Sequence, residues 1–162
     1  MDKIDQIVTQ WNRERPDLNV TPMSLIGRVK RITQHLSHGM EKTFAKHGLN
    51  SASFDVLATL RRSGSPYRLS PGALLSTMMV TSGTMTNRVD QLVKSEMVAR
   101  IHNPEDGRSV IIALTDKGFA VIDAAVTDHV QTQKELMSGL SEEESAAFNV
   151  LLSKLLVGFE GS

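Results

Sequence analysis

A chain of 162 residues with 40% hydrophobic residues can bury a core, which excludes wholesale disorder. The absence of cysteine excludes disulfides, zinc–thiolate sites and thiol-based redox sensing. The formal net charge is zero, but residues 13–108 hold 14 Lys and Arg against 8 Asp and Glu, a balance of +6, and the two ends together have a balance of −6. Such asymmetry can present one basic face to phosphates.

Nothing in the sequence indicates a membrane partner. No run approaches 18 consecutive apolar residues, and the start, Met1-Asp2-Lys3-Ile4-Asp5, lacks the basic and apolar stretches of a signal peptide. We therefore expect a soluble, cytoplasmic protein.

Apolar residues at helical spacing predict three helices in the first part of the chain. The first covers residues 3–14 and ends before Arg15-Pro16. The second begins at Pro22-Met23-Ser24 and ends at His47-Gly48, because glycine commonly follows the last helical residue. The third is predicted to be capped by Ser51 or Ser53 and to continue to Arg62.

The middle of the chain has the order of elements of a winged helix-turn-helix. It contains a helix from Ser70-Pro71 to about Met78, a helix that opens at Thr81-Ser82-Gly83-Thr84 and runs to Lys94-Ser95, and strands at Val98–His102 and Ser109–Leu114. The strands are rich in Val and Ile and flank a turn with Pro and Gly, which predicts a hairpin. In such a fold the second helix enters the major groove of DNA and the hairpin, or wing, reaches the minor groove.

Two further helices are predicted after the hairpin. Thr115 begins a helix of about six turns, and Ser141 with Glu144 forms a capping box at the start of the last helix. The terminal helices carry wide apolar stripes that lie outside the winged unit. Pairing with the same surface of a second chain would bury them in an isologous homodimer. The alternative is that they fold back on their own domain.

The predicted fold class is therefore mainly α with a small β-hairpin wing, in a single domain. A winged helix-turn-helix DNA-binding region at 50–115 is flanked by helical dimerisation regions at 1–47 and 116–162.

Several motifs in this arrangement resemble the MarR family (multiple antibiotic resistance regulators). They are Asp106-x-Arg108 followed by Leu114-Thr115-x-x-Gly118, the turn Met79-Val80-Thr81-Ser82-Gly83, and the helix Thr84-Met85-Thr86-Asn87-Arg88-Val89-Asp90-x-Leu92. The resemblance implies a dimeric winged-helix DNA-binding regulator without a cofactor. Most members are repressors that small aromatic or phenolic ligands release from a palindromic operator.

A narrower set of motifs is similar to the urate-responsive branch of that family. The set comprises Trp11 with Arg15-Pro16-Asp17-Leu18, the stretch from Phe54 to Arg62, and Thr86-Asn87-Arg88. Members of this branch have an extra N-terminal helix and bind urate through a Trp, an Asp and an Arg. The resemblance implies that Trp11, Asp55 and Arg88 bind the ligand, with a phenolic or other aromatic acid as the alternative to urate.

The residues of the predicted major-groove helix, which opens at Thr81-Ser82-Gly83-Thr84 and runs to Lys94-Ser95, divide into two faces on a helical wheel. Met85, Val89, Leu92 and Val93 form the apolar face. Candidate DNA-binding side chains point away from it: Thr84, Asn87, Gln91 and Lys94. Arg88 falls roughly 85° from the middle of the apolar face, at about 100° per residue. That angle disfavours a direct base contact and suits a crevice between helices.

Asp55 and Trp11 each allow two interpretations. Asp55 lies inside an apolar run, where a carboxylate is costly unless it is paired. It is either in a buried ion pair, with Arg28, Arg31 or Arg61 as candidates, or in a pocket that binds a ligand rich in N–H donors. Trp11 is the only tryptophan and is either an anchor of the dimer core or a stacking platform for a planar ligand.

The wing supplies the last candidate DNA contacts. Arg108 is predicted to reach the minor groove, with Asp106 bracing the loop; alternatively, Arg108 only stiffens the hairpin. Many relatives have a second arginine where this chain has Gly107, which lowers the expected number of phosphate contacts.

Other functional classes receive little support. The sequence has no cysteine nucleophile, no glycine-rich phosphate loop and no Gly-x-Ser-x-Gly motif, so an enzyme is not expected. His35 and His38 could face one metal ion but lack an evident third ligand, so no metal site is predicted. His129 is predicted to be a packed, hydrogen-bonded core residue. A winged helix that binds protein rather than DNA remains the alternative from another class.

Overall fold

The computed structural model describes residues 1–79, 85–103, 106–107 and 109–161. Within them the fold is mainly helical with a small antiparallel sheet, which confirms the predicted fold class. The helices are α1 (Lys3–Glu14), α2 (Thr21–Lys46), α3 (Ser51–Arg62), α4 (Pro71–Thr77), α5 (Met85–Lys94), α6 (Asp116–Leu136) and α7 (Glu142–Glu160). The strands are β1 (Arg68–Leu69), β2 (Val98–His102) and β3 (Val110–Leu114).

The chain forms two compact units. The first is Met1–Gly39, with α1 and most of α2, and the second begins at Met40 and holds the remaining elements. The assignment of 50–115 to DNA binding and of 1–47 and 116–162 to dimerisation stays a prediction.

The sheet has the strand order β1–β3–β2. β2 and β3 form the predicted hairpin, in which Val98 lies opposite Leu114 and His102 opposite Val110. β1 adds a third strand through the pairing of Arg68 with Ala113. The sequence does not predict β1, because two residues show no alternation and their partners lie far along the chain.

The core of the second unit forms around α3. Val56, Leu57 and Leu60 are fully buried there. Buried residues from the neighbouring elements complete the cluster: Leu74, Val89, Leu92, Val98, Ile112 and Ile122. Because α5 contributes Val89 and Leu92 to this core, its opposite side faces solvent.

Polar caps set the starts of the later helices, as the sequence predicts. Ser70 caps α4 with Pro71 in the first turn, and Thr115 caps α6. Ser141 and Glu144 form a reciprocal capping box on α7.

The cap of α3 differs from its prediction. Asn50 is the N-cap, and its Oδ1 accepts a hydrogen bond from Ser53 N at 2.9 Å, while Asn50 N donates to Ser53 Oγ at 2.9 Å. The prediction that Ser51 or Ser53 is the cap was therefore wrong. Three of the four positions from 50 to 53 carry good capping side chains, and propensity does not rank Asn below Ser.

The apolar stripe of α7 is not covered by any described part of this chain. None of its residues is buried, and the exposed fractions of Leu155 and Phe159 are 57% and 80%. On α6, Val130 is also exposed. Exposed apolar side chains in such number are typical of interaction surfaces.

Gly118 allows the start of α6 to pack closely on the turn before β2. A Cβ at this position would lie 1.9 Å from the Met97 carbonyl oxygen and 2.8 Å from the Met97 carbonyl carbon. The neighbouring Thr115 hydroxyl donates to the Glu96 carbonyl at 2.7 Å. The contact is with backbone, so it cannot be relieved by a rotamer change.

Gly118→Ala is therefore expected to lower the free energy of unfolding by about 3 kcal/mol, because the added methyl forces α6 away from Met97. Urea denaturation followed by circular dichroism measures this change. Gly139→Ala is the matched control, since a Cβ there meets nothing within 4 Å. An equal stability of the two variants would contradict the close packing at Gly118.

Candidate nucleic-acid interface and ligand site

α5 presents one polar side to solvent. Asn87, Gln91 and Lys94 are exposed, whereas the predicted apolar face is buried or half-buried. Thr84, the fourth candidate for DNA binding, lies outside the described residues. The exposed side chains include amides, which can read base edges, and an ammonium, which can contact phosphate. Their contacts with DNA stay a prediction.

Arg88 lies between the two faces of α5. Its side chain is half-buried, as its position on the shoulder of the helical wheel indicates. Among the described residues, no carboxylate forms an ion pair with it. Arg88 thus lies between the buried and the exposed side of α5 and not at the centre of the exposed side.

An ion pair joins α5 to the wing. Arg100 on β2 contacts the Asp90 carboxylate on α5, with an N–O distance of 2.6 Å. The sequence does not predict this pair, because the two residues are ten positions apart on different elements. It gives α5 and β2 a polar contact in addition to their apolar packing.

The described part of the wing loop contains a tight turn. Ser109 N donates to the Asp106 carbonyl at 3.0 Å, and Asn103 N donates to the Ser109 carbonyl at 2.8 Å. Asp106 and Gly107 are exposed. Arg108 lies outside the described residues, so its minor-groove role and the bracing role of Asp106 stay predictions.

Asp55 is a buried carboxylate on α3, with an exposed fraction of 8%. Its Oδ2 is buried and has no hydrogen-bond partner in the described part of the chain. α3 packs against α5, so the helices that carry Asp55 and Arg88 are direct neighbours. The structure therefore places an unsatisfied acceptor on the helix that supports the candidate DNA-reading helix.

Within the described residues, none of the three arginines predicted as ion-pair partners of Asp55 pairs with it. Arg61 contacts Asp123 instead, at 2.9 Å, and its guanidinium lies 4.6 Å from the centre of the Phe119 ring. Arg28 contacts Asp2. Among the described residues, Asp55 is not in an ion pair with any arginine, Arg31 included.

Thr59 adds a second unsatisfied group on α3 that is not among the predicted site residues. It is buried one helical turn after Asp55, and its Oγ1 has no partner among the described residues. Thr59 also lines a cavity of about 320 Å³ between α3 and α4, where Arg62 donates to the Thr77 carbonyl. The i, i+4 spacing from Asp55 is the signal that could have indicated it.

Trp11 belongs to the unit of residues 1–39. It lies on α1 with an exposed fraction of 43%, so part of the indole ring is open to a partner. Both interpretations, dimer anchor and stacking platform, are compatible with this exposure.

His129 is packed, as predicted, but the predicted hydrogen bond of its Nδ1 is absent among the described residues. The ring centre lies 5.1 Å from that of Phe44 and 4.8 Å from that of Phe54. Nδ1 is buried without a partner in the described part of the chain, and burial lowers the pKa of His129. The imidazole thus packs as part of an aromatic cluster.

Two further features bear on other classes of site. Across the described ranges there is no group of three or more His, Cys, Asp or Glu side chains that could hold a metal ion. Within the same ranges, no helix is both long and apolar enough to cross a membrane.

Two successive helices, α4 and α5, a three-stranded sheet with its hairpin and an exposed polar side on α5 are the elements of a winged-helix DNA-binding regulator. Residues 49–110 match the MarR family. The chain belongs to this family. Its relatives in the family are transcriptional regulators and not enzymes.

Two curated relatives support the assignment over almost the whole chain. The transcriptional regulator PecS of Dickeya dadantii is 40% identical over 153 residues, which is 94% of this chain and 92% of PecS. The transcriptional repressor YetL of Bacillus subtilis is 33% identical over 91% of this chain and 88% of YetL.

Two solved structures share the fold. A mutant MarR of Escherichia coli in complex with operator DNA has a TM-score of 0.71 and 25% identity, over 90% of this chain and 97% of that one. BpsR of Bordetella bronchiseptica, whose DNA binding is regulated by 6-hydroxynicotinic acid, has a TM-score of 0.70 and 26% identity, over 80% of this chain and 90% of BpsR.

Proposed function

We propose that the protein is a homodimeric transcriptional repressor that leaves a palindromic operator when it binds a small aromatic anion, urate or a related purine. The observation that supports ligand binding is the buried Asp55 carboxylate on α3, which packs against α5: its Oδ2 has no hydrogen-bond partner among the residues that the structure describes. A cytoplasmic location follows from action on DNA.

The exposed side of α5 supports the DNA part of the proposal. Asn87, Gln91 and Lys94 would face the major groove while Val89 and Leu92 anchor the helix in the core. Thr84 would join them, and Arg108, braced by Asp106, would enter the minor groove. The structural relative bound to operator DNA is consistent with this placement.

The exposed apolar faces support a homodimer. α7 exposes Leu152, Leu155 and Phe159, and α2 exposes Leu25 and Val29. A second copy of the same chain offers the same faces and buries both sets around one two-fold axis. Two recognition helices related by that axis match the two halves of a palindromic operator.

The proposed ligand site combines three side chains of different chemistry. Asp55 offers an acceptor for a ring N–H, Arg88 a cation for an anionic oxygen, and Trp11 a planar surface for stacking. Urate is flat, anionic and rich in N–H groups, so it can satisfy all three. Binding would draw Arg88 toward the ligand and move α5, which changes the spacing of the two recognition helices.

A phenolic or other aromatic acid is the second candidate ligand. The regulation of BpsR by 6-hydroxynicotinic acid favours it, since that ligand belongs to a structural relative of this chain. Calorimetric titration of the protein with urate and with 4-hydroxybenzoate separates the two classes. Heat of binding with urate alone supports the purine assignment, and binding of 4-hydroxybenzoate alone contradicts it.

Arg108→Ala is expected to weaken operator binding about tenfold and leave the dimer intact, because one minor-groove contact is lost. Fluorescence anisotropy with labelled DNA over a salt series measures it, since each phosphate contact adds to the salt slope. Lys134→Ala on α6 is the control. If Arg108→Ala bound DNA as tightly as the wild type at every salt concentration, the wing assignment would be contradicted. If DNA binding by the wild type did not depend on salt, the alternative of a protein-binding winged helix would be favoured.

A further inference from the structure

Polar contacts attach the beginning of α1 to α2. Arg28 Nε donates to Asp2 Oδ2 at 2.8 Å, and Arg28 Nη2 donates to Asp5 Oδ1. Arg28 Nη1 donates to Ser24 Oγ, which holds the guanidinium from its own helix. We name Arg28 with Asp2 and Asp5 the Arg28 clamp. Every guanidinium nitrogen of this arginine is thus engaged, which fixes its plane.

The two carboxylates of the clamp also build the start of α1. Asp2 Oδ1 accepts from Ile4 N at 2.7 Å and from Asp5 N at 3.0 Å, while Asp2 N donates to Asp5 Oδ2 at 2.8 Å. This reciprocal capping box holds both carboxylates in one orientation. Arg28 therefore binds a preformed pair and not two freely rotating side chains.

An apolar contact lies beside the clamp. Ile4 has an exposed fraction of 8%, and a Cβ at Gly27 would lie 3.1 Å from Ile4 Cδ1. Glycine at position 27 thus lets α1 approach α2 closely, directly before the arginine of the clamp. The polar and apolar contacts together determine the rotation of α1 about its own axis.

That rotation determines where Trp11 faces. Trp11 follows Ile4 by seven residues, which is two turns, so the two side chains point within about 20° of each other and lie about 10.5 Å apart along the axis. Trp11 is partly exposed, whereas Ile4 is buried. The fixed end of α1 therefore orients an indole ring that is itself less constrained.

The same hydrogen bonds keep the clamp charged. The backbone hydrogen bond from Asp5 and then the Arg28 guanidinium hold the pKa of Asp2 below its ordinary value. The backbone hydrogen bond from Asp2 and then Arg28 do the same for the pKa of Asp5. Carboxyl groups with lowered pKa values lose their stabilising effect only when the pH falls through those values. The clamp is therefore intact at neutral pH.

We propose that Arg28 is a positioning residue for ligand recognition: through the clamp it holds α1 so that Trp11 faces the planar ligand. This inference rests on the proposed function, in which Trp11 stacks on that ligand. If the clamp opens, only a fraction of molecules presents Trp11 correctly, and the apparent affinity for the ligand falls in proportion to that fraction. DNA affinity without ligand does not depend on the clamp.

The test compares Arg28→Met with Arg31→Met. Both remove one arginine from α2, but Arg31 forms no ion pair with any described residue. Because the chain has a single tryptophan, its fluorescence reports on α1 directly. Acrylamide quenching measures the exposure of Trp11, and anisotropy with labelled operator DNA measures the urate concentration that gives half-maximal release.

Arg28→Met is expected to increase the quenching of Trp11 and to raise the urate concentration for half-release about tenfold, with DNA affinity unchanged. Arg28→Lys, which keeps the charge but not the planar fork, is expected to be intermediate. Arg31→Met is expected to behave as the wild type. The inference would be overturned if Trp11 in Arg28→Met were quenched as in the wild type. It would also be overturned if the quenching increased but the urate concentration for half-release stayed at the wild-type value.

A further variant separates this inference from the proposed function. Trp11→Phe is expected to raise the urate concentration for half-release as well, without any change in the clamp. Two outcomes contradict the ligand assignment and remove the basis of the inference. In the first, urate does not release the wild-type protein from operator DNA; in the second, Trp11→Phe is released at the wild-type urate concentration. A third outcome contradicts only the role of Arg28: urate releases the wild type from DNA, Trp11→Phe needs more urate for release, and Arg28→Met responds like the wild type.

Discussion

Asp55→Asn is expected to separate ligand response from DNA binding. The urate concentration for half-release rises between about 10-fold and 100-fold, because a buried hydrogen bond to a charged group is lost. DNA affinity without urate stays unchanged, since Asp55 lies in the core and not on the exposed side of α5. The free energy of unfolding of the ligand-free protein rises by about 1 kcal/mol, because a neutral amide costs less to bury than a carboxylate whose Oδ2 has no partner among the described residues.

The stability change has the opposite sign to that expected for a structural role. Removing one partner of a buried ion pair destabilises a protein by about 3–5 kcal/mol. Asp123→Asn on α6 is the control, because it removes an exposed partner of Arg61 and is expected to leave the urate response intact. Urea denaturation and anisotropy measure the two effects. A destabilised Asp55→Asn variant with a normal urate response would contradict the ligand site.

The double variant Leu152→Glu, Leu155→Glu is expected to make the protein monomeric. Both leucines lie on the exposed apolar face of α7, so two carboxylates would have to be buried in the dimer interface. A monomer loses the second half-site contact, and operator affinity falls by at least about 100-fold, as the effective concentration of a linked site predicts. Analytical ultracentrifugation and anisotropy measure the two changes.

Ser153→Glu is the matched control for this variant. It introduces the same charge on α7, about 130° around the helix from the middle of the apolar face by the angle of 100° per residue. The control is expected to remain dimeric. A double variant that stays dimeric and binds DNA normally would show that α7 is not the dimer interface.

The fold could be predicted from the sequence where the signals are local. Ser141 with Glu144, Ser70 with Pro71, and the Val- and Ile-rich strands each specify an element within a few residues. The strand β1 could not be predicted, because its pairing with β3 depends on tertiary contacts. At α3 several capping residues compete, and only the packed helix shows which one is used.

The residue types of the candidate site could be predicted from the sequence, but the side-chain contacts of these residues could not. A carboxylate in the apolar run of α3 and an arginine on the shoulder of α5 are anomalies that the helical wheel shows. Whether Asp55 has an arginine partner depends on where Arg61 lies, and Asp123 competes for it from α6. The ion pair between Asp90 and Arg100 and the Arg28 clamp also join separate elements, so no local pattern indicates them.

The most direct test of the ligand-controlled repressor is fluorescence anisotropy of the purified protein on the DNA just upstream of its own gene, with urate added in increasing amounts. We expect tight, salt-dependent binding, release by urate, and no release of Asp55→Asn at the same urate concentrations. Tight binding that urate leaves unchanged in the wild-type protein would retain the DNA-binding regulator and contradict the purine site.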